Sequence, residues 1–256
     1  MIPLKDNIPT DRFPVVTVGL ILANIVVYLL AVAHGGSLIS GPDAHEIYRY
    51  GAIPYALTHP SEHCGVVRTM TSEFACAHQA GLVSGLPWWQ TVFTSMFMHA
   101  SILHIAGNLL FLWIFGNNVE DSMGSLKFLA FYVLGGIVAL ALQTVVGPNE
   151  LAATVGASGA VAAVLGGYIV LYPRARILSL VFIILFFTVI ELPALLMLGL
   201  WFAEQAVFGA AGLTSTSVTG VAYFAHVGGF VFGALTIRGL ASRHKPVPPS
   251  RVVAAH

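Results

Sequence analysis

Long apolar runs are the feature that most constrains this chain. The first covers Phe13 to Ala33, and others cover roughly residues 90 to 117, 126 to 146, 155 to 172, 177 to 208 and 221 to 241. A membrane helix needs about 20 apolar residues, so each run has about the length that crosses a bilayer. Residues are 57% hydrophobic and 9% charged, and no soluble core could bury so much apolar surface under so small a charged shell. We therefore predict an all-α polytopic membrane protein that uses the lipid bilayer as its solvent.

The charge balance excludes some partners. Eleven basic residues balance eleven acidic ones, so no net field attracts nucleic acid, and we expect no nucleic-acid partner. The first run follows Lys5 and Arg12 and ends in Ala-Val-Ala, which resembles a signal-peptide cleavage site. A retained helix is the favoured interpretation, because the run exceeds the roughly 7 to 15 apolar residues of a signal peptide and further spans follow.

The fifth apolar run is too long for one simple span. It covers 32 residues, and Glu191 would lie near its middle, where a carboxylate is costly. Proline favours the first turn of a helix, and an acid just before it suits the positive end of the helix dipole. The sequence therefore predicts a fifth helix that starts near Leu192, with residues 177 to 190 as an interfacial or re-entrant piece. One long kinked helix with a buried Glu191 is the alternative.

Six spans place both termini on the same side of the membrane. Nine of the eleven basic residues then fall on that side, which predicts cytoplasmic termini. We expect a cytoplasmic N-terminus over residues 1–12, a six-helix membrane domain over 13–241, and a disordered cytoplasmic tail over 242–256. A short six-span core fits a bacterial cytoplasmic (inner) membrane. The basic residues on the inner side are Lys5, Arg12, Lys127, Arg174, Arg176, Arg238, Arg243, Lys245 and Arg251.

A long polar loop over residues 35–88 then lies outside. It contains the two cysteines, Cys64 and Cys76, which could form a disulfide in an oxidising compartment or remain free thiols. Its histidines show no ordered metal-ligand spacing, and we interpret them as solvated surface residues. They are His45, His59, His63 and His78.

Polar side chains inside membrane spans are costly and are therefore functional candidates. The second span contains His104 and Asn108, which are four residues apart and share a helix face. His99 would lie about 140° around the helix from His104, so we expect it to cap or position the helix. Ser158 lies in the fourth span and His226 in the sixth, at a depth similar to that of His104.

Small residues line the faces that carry Ser158 and His226. Ala162 and Gly166 follow the serine at intervals of four, and Gly229 and Gly233 follow the histidine at three and four. Small faces let membrane helices approach closely, so the hydroxyl and the imidazole could meet as a nucleophile and its base. Alternatively, a serine among glycines serves packing and bonds to a carbonyl one turn back.

These residues together resemble the rhomboid family of intramembrane serine proteases. The G-x-S-G tetrad alone would be a weak signal, but its combination with two histidine motifs in separate spans is specific. The resemblance covers most of the chain except the outer loop, and it implies a six-transmembrane-helix rhomboid-like bundle. The motifs are HASILHIAGN at 99 to 108, FGNNVEDSMG at 115 to 124, GASGA at 156 to 160, YPRARI at 172 to 177 and AHVGGFVFG at 225 to 233.

The resemblance implies a role for each site residue. Ser158 would be the nucleophile and His226 its general base, in a dyad that needs neither a metal nor a cofactor. His104 and Asn108, with the Ser158 backbone N–H, would form the oxyanion hole. The substrates would be transmembrane segments of other membrane proteins. Supporting positions would be taken by Gly156, Gly159, Gly229 and Gly233.

The chain departs from the family at one position. Many relatives place an aromatic residue four positions after the serine, where it packs on the imidazole, but here that residue is Ala162. We expect Tyr223 or Phe224 to support the His226 ring instead. Substrate would enter from the lipid past the fifth helix, and Trp201 and Phe202 are candidate gate residues, although lipid-facing packing explains them equally well.

Two other functions fit parts of the pattern. A non-catalytic rhomboid-like adaptor would bind client helices without cutting them, and such relatives are expected to lack the serine or the histidine. A small transporter would use His99, His104 and Glu191 as a proton or metal path. The predicted divergence of the two histidines and the lack of repeated halves count against a transporter.

Overall fold

The protein is mostly helical. The computed structural model describes residues 1–67, 73–77, 83–84, 86–183, 186–213, 221–243 and 245–246. Helix α1 (Val15–His34) precedes the loop over residues 35–88, α2 (Ala44–Tyr50) and α3 (Pro54–Thr58) lie within it, and α4 (Trp88–Thr94) begins at its end. A continuous helical rod combines α5 (Ile102–Phe111), a π-helical turn (Leu112–Gly116) and α6 (Asn117–Met123). The remaining helices are α7 (Ser125–Val146), α8 (Ser158–Leu171), α9 (Ala194–Gly212) and α10 (Tyr223–Leu240).

Four helices in the described part of the chain are long and apolar enough to cross a membrane. They are α1, the rod Ile102–Met123, α7 and α9. Two shorter helices, α8 and α10, pack beside them, with 14 and 18 residues respectively. The chain is therefore an integral, polytopic membrane protein built as a helical bundle, as the apolar runs predict.

The helical bundle also carries three small sheets in the described part of the chain, which the all-α prediction did not include. One contains β1 (Ile2–Asp6), β7 (Arg176–Ile183) and β8 (Phe186–Pro193) in the order β1-β7-β8. In the outer loop, β2 (Gly36–Ser37) pairs with β3 (Gly41–Pro42), and β4 (His63–Val67) lies between β5 (Glu73–Ala77) and β6 (Val83–Ser84).

The fifth apolar run contains a β-hairpin followed by a helix. Strands β7 and β8 pair antiparallel from Arg176 opposite Pro193 to Ile183 opposite Phe186. The run is rich in Ile, Val and Phe, which favour strands, and pairing satisfies the backbone of a segment too short for a second span. Glu191 is exposed in β8, and α9 begins at Ala194 after Pro193 as its N-cap. The segment predicted to be an interfacial or re-entrant piece is therefore a hairpin, and the alternative of one long kinked helix is wrong.

The second apolar run is also divided differently from the prediction. Helix α4 ends at Thr94, residues 95 to 101 are not helical, and α5 begins after Ser101, whose hydroxyl accepts the His104 N–H at 3.2 Å. The rod then continues past Asn117 as far as Met123. The apolar run predicted an end near residue 117, because the residues of α6 that follow are polar. These polar residues remain in the helix because they are buried against protein partners.

Glu120 shows how such a polar residue is accommodated. Its carboxylate accepts the backbone N–H groups of Val16 and Thr17 at 3.0 and 2.8 Å and the Thr17 hydroxyl at 2.8 Å. Helix α1 has Pro14 as its N-cap and no side-chain cap of its own. Glu120 therefore satisfies donors at the first turn of α1 and places a negative charge at the positive end of its dipole.

Helices α8 and α10 pack at backbone contact. A Cβ atom at Gly229 would overlap the carbonyl oxygen of Gly159, and one at Gly233 would overlap that of Ala163. Gly166 meets the carbonyl of Phe230 in the same way. The small residues predicted to share a face therefore form the interface that brings the start of α8 to the start of α10.

The loop over residues 35–88 contains a disulfide. Cys64 and Cys76 are bonded and lie opposite each other in β4 and β5. Of the loop histidines, His45 lies 3.6 Å from Glu46, and His59 stacks on Tyr55 with ring centroids 4.1 Å apart. The position of His78 and the side chain of His63 lie outside the described residues, as do residues 244 and 247–256 of the predicted disordered tail over 242–256.

Asp6 gives the fold a testable pH dependence. Its Oδ2 accepts the Tyr168 hydroxyl at 2.6 Å and the Asn118 amide at 2.7 Å. Burial nevertheless raises the pKa of this carboxyl from 3.8 to about 6. Because the folded state holds the proton more tightly than the unfolded state, Asp6 costs the fold stability as pH rises from about 4 to about 6, by at most about 3 kcal/mol.

We expect Asp6→Asn to remove this loss while keeping an acceptor for Tyr168. The thermal unfolding midpoint of the variant in detergent, measured from pH 4 to pH 7.5, should exceed that of wild type by several degrees at pH 7 and converge with it near pH 4. Asp11→Asn, which removes an exposed carboxylate from the same end of the chain, is the control. Parallel curves for wild type and Asp6→Asn would contradict the prediction.

Candidate active site

Ser158 and His226 meet where two helices begin. Ser158 is the first residue of α8, and His226 lies in the first turn of α10. The serine Oγ lies 2.8 Å from the histidine Nε2, within hydrogen-bond reach. The sequence placed Ser158 three or four residues into its helix, but the preceding residues form a turn that presents the hydroxyl at the helix start.

The side of the His226 ring that lies opposite Ser158 contacts α9. Its Nδ1 lies 2.7 Å from the Oε1 of Gln205, and its ring centroid lies 5.9 Å from that of Trp201 at an interplanar angle of 34°. The sequence pointed to Tyr223 or Phe224 as the supporting ring. Tyr223 instead contacts Phe208 of α9, with ring centroids 5.8 Å apart.

Sequence reasoning missed Gln205, although a signal was present. Gln205 is an uncharged polar residue inside an apolar run, one helical turn after Trp201. A polar residue in a membrane span usually faces the bundle interior, and Gln205 is only 7% exposed. The two residues together therefore mark the face of α9 that contacts the imidazole.

His104 presents one ring nitrogen to the same site. Its Nδ1 accepts the backbone N–H of Ala100 at 3.4 Å, so the ring hydrogen lies on Nε2 when the imidazole is neutral. The amide of Asn108 donates to the His104 carbonyl at 3.0 Å, one turn earlier in α5. His104 and Asn108 thus lie on one helix face and both line the cavity that contains Ser158.

Gly156 makes room for the His104 ring. Its φ is +122°, a conformation that side chains rarely adopt. A Cβ atom there would lie 2.7 Å from His104 Nε2 and 3.6 Å from Ser158 Oγ. The glycine therefore allows the turn before Ser158 and keeps the space between the hydroxyl and the imidazole open.

His99 does not diverge from His104 as the helical wheel predicted. The wheel does not apply, because His99 precedes α5 in the non-helical segment. The two rings meet edge to face, with centroids 5.1 Å apart. His99 is fully buried; its Nε2 accepts the Ala157 N–H at 3.4 Å and its Nδ1 lies 3.2 Å from the Phe97 carbonyl oxygen. His99 therefore links the α5 entrance to the turn that carries Ser158.

The site lies in a cavity of about 370 Å³. Ser158, His226, His104 and Asn108 line it together with apolar side chains. Of the two candidate gate residues, Trp201 lines the cavity, whereas Phe202 stacks on Phe230 with ring centroids 4.5 Å apart. A few polar side chains that converge in an otherwise apolar cavity are typical of a site that orients a substrate.

The fold and the site define an integral membrane protein in which a serine and a histidine meet inside a helical bundle. The family model for the Rhomboid domain matches residues 85–243, which is more than half of the chain. The chain belongs to the rhomboid family, which confirms the resemblance drawn from its motifs.

Relatives occur in fungal, bacterial and animal species. The chain is 31% identical over 156 residues, 57% of its length, to Rhomboid protein 1, mitochondrial, of Saccharomyces cerevisiae. It is 34% identical over 116 residues, 44% of its length, to Rhomboid protease GluP of Bacillus subtilis. It is 31% identical over 145 residues, 54% of its length, to Presenilin-associated rhomboid-like protein A, mitochondrial, of Danio rerio. The matched segments cover 40%, 22% and 34% of these relatives, so the chain spans less than half of each.

Proposed function

We propose that this protein is an intramembrane serine endopeptidase that cleaves transmembrane segments of other membrane proteins. The observation that carries the proposal is the 2.8 Å contact between Ser158 Oγ and His226 Nε2 inside a cavity of the bundle. The similarity to the Bacillus relative, which is named a rhomboid protease, supports the same activity.

The chemistry follows from these two groups. His226 Nε2 takes the hydroxyl proton as Ser158 Oγ bonds to the scissile carbonyl carbon. The imidazolium then gives that proton to the leaving amine as the C–N bond breaks, which leaves an acyl group on the serine. A water molecule then attacks the acyl carbon while His226 again takes the proton. The bond to Ser158 Oγ breaks, His226 returns the proton to that oxygen, and the new carboxylate is released.

Oxyanion stabilisation would come from the opposite wall of the cavity. The His104 Nε2–H, the Asn108 amide and the Ser158 backbone N–H are donors that could meet the negative charge on the former carbonyl oxygen. Preorganised donors act strongly in such a site because little water competes for them. The same wall would hold the carbonyl in line with the Ser158 hydroxyl.

The cavity also suggests how a membrane segment becomes a substrate. A carbonyl inside a transmembrane helix is already hydrogen-bonded, so substrates with helix-weakening glycine or alanine would expose the scissile bond more readily. We propose that such segments enter from the lipid past α9. Trp201 then lies between the entry side and the catalytic pair.

The topology belongs to the same proposal. The four long apolar helices and the shorter α8 and α10 would make six spans, with both termini in the cytoplasm and the disulfide-bonded loop outside. The distribution of basic residues supports this orientation. A bacterial cytoplasmic membrane is the proposed location, and the mitochondrial names of two relatives make an organelle membrane the second candidate.

Reconstitution tests the activity directly. The full chain in liposomes would be incubated with a model single-span substrate carrying a Gly-Ala pair near the outer end of its helix. We expect cleavage within or beside that helix and covalent labelling of Ser158 by a fluorophosphonate. Tight substrate binding with neither cleavage nor labelling would instead identify a non-catalytic adaptor.

A further inference from the structure

Gln205 contacts the ring nitrogen of His226 that a mechanism with only Ser158 and His226 leaves without a partner. Its Oε1 lies 2.7 Å from His226 Nδ1, on the side of the ring opposite Ser158. Both ring nitrogens of the base are therefore engaged, one by the nucleophile and the other by an amide on a third helix. We propose that Gln205 is a positioning residue that, together with Trp201, holds the His226 imidazole in the orientation and tautomer in which it can accept the Ser158 proton.

The direction of the bond follows from what the base must do. Nε2 can accept the Ser158 proton only if the ring hydrogen is on Nδ1. That Nδ1–H then needs an acceptor, because an unpaired donor in an apolar site is costly. The amide oxygen of Gln205 is that acceptor, and Gln205 is buried.

The ring face is held by the same helix. Trp201 lies one turn before Gln205 on α9, so both side chains project from one helix face. The family's aromatic position beside the imidazole is occupied here by Ala162, which has no ring to offer. Helix α9 thus supplies both the ring contact and a hydrogen bond to the His226 imidazole.

An amide suits this place better than a carboxylate. Helices α8 and α10 contain no Asp or Glu, and Glu204, beside Gln205 in sequence, is exposed. A buried carboxylate would carry a large desolvation cost in a membrane. A neutral amide oxygen fixes the tautomer at a lower cost, although it stabilises the imidazolium less than an acid would.

The other titratable groups near α10 do not replace Gln205. Helix α10 packs against α7, α8 and α9. Among the described residues that line the cavity, His104 is the other titratable side chain. On α7, Lys127 lies near the far end, while Glu150 just beyond the helix accepts from Gln143 at 3.0 Å. Arg238 lies in the last turn of α10, three turns from His226.

A second glutamine provides a matched control. Gln143 is also buried, and its Oε1 accepts the backbone N–H of Ala225 at 3.2 Å, one residue before His226. It supports the start of α10 without contacting the imidazole through that bond. Gln143→Leu should therefore lower stability as much as Gln205→Leu does, but it should leave the properties of the base unchanged.

The kinetic test compares Gln205→Leu, Gln205→Glu and Gln143→Leu in liposomes. For Gln205→Leu we expect kcat to fall about 10- to 100-fold with KM nearly unchanged. For Gln205→Glu we expect activity to return and the acid limb of the kcat/KM profile to move to higher pH by about one unit, because a carboxylate stabilises the imidazolium. A Gln205→Leu variant with wild-type kcat, or a loss matched by Gln143→Leu, would overturn the inference.

This inference rests on the proposed function for its kinetic test, so a second readout is independent of cleavage. In ¹⁵N-histidine-labelled protein, the His226 resonances are identified by their loss in His226→Gln. We expect the Nδ1–H tautomer in wild type, a mixture of tautomers in Gln205→Leu, and a higher titration midpoint in Gln205→Glu. Identical spectra for wild type and Gln205→Leu would refute the role of Gln205. Absence of cleavage by wild type with these spectral differences intact would refute only the protease.

Discussion

Replacing Ser158 or His226 by alanine is expected to abolish cleavage. When serine and histidine act as one unit, removing either costs on the order of 10⁶-fold in kcat, and removing both costs little more. Each single variant and the double variant should therefore show the same residual rate, below detection in a liposome assay. The packing at Gly229 and Gly233 does not depend on the Ser158 hydroxyl, so we expect Ser158→Ala to fold and to retain substrate binding.

Matched serine and histidine variants separate chemistry from packing. Ser122 is buried near the opposite end of the bundle, and its hydroxyl donates to the Val119 carbonyl at 2.7 Å. Such a bond is the packing role that a serine in a membrane helix often has. Ser122→Ala and His34→Ala, at an exposed helix end, should keep full activity. Cleavage that survives Ser158→Ala would refute the serine mechanism.

The bundle was predictable because its cause is local in sequence. Apolar runs of about 20 residues specify membrane helices without any tertiary information, and the spacing of Gly229 and Gly233 indicates a close helix contact. The fifth run was harder. Its Ile, Val and Phe content suits a strand as well as a buried helix, and only pairing with β1 and with itself decides between them.

The residues that line the candidate site could be singled out from the sequence, but their surroundings could not. Ser158, His226, His104 and Asn108 stand out because polar groups are rare in spans. His99 was placed wrongly because the helical wheel assumed that the helix includes residue 99. In the structure the helix begins at Ile102. Gln205 was missed although a polar residue inside an apolar run indicates the interior face of α9, because its partner there depends on how α9 packs against α10.

We expect Gly156→Ala to disturb the oxyanion side of the site. A Cβ atom at this position would lie 2.7 Å from His104 Nε2, so Gly156→Ala should push the ring away from the cavity. Because the obstructed atom is the end of a side chain, the fold can absorb the change while the donor moves. We expect kcat to fall by roughly 10²- to 10³-fold, the usual cost of one oxyanion donor.

Gly124→Ala is the matched control for the backbone. Gly124 also has a positive φ, +86°, but a Cβ atom there would meet nothing within 4 Å. Both variants place alanine at a positive φ and should lose similar stability, about 1 kcal/mol or more. Only Gly156→Ala should lose activity, as measured by cleavage rates at saturating substrate.

A double-mutant cycle links the loss to His104. His104→Ala removes the same donor directly, so we expect it to reduce kcat by a similar factor. Because both substitutions would act on one interaction, the double variant Gly156→Ala/His104→Ala should be no slower than His104→Ala alone. Additive losses would show that Gly156 acts through the Ser158 turn instead, and an active His104→Ala variant would remove His104 from the oxyanion hole.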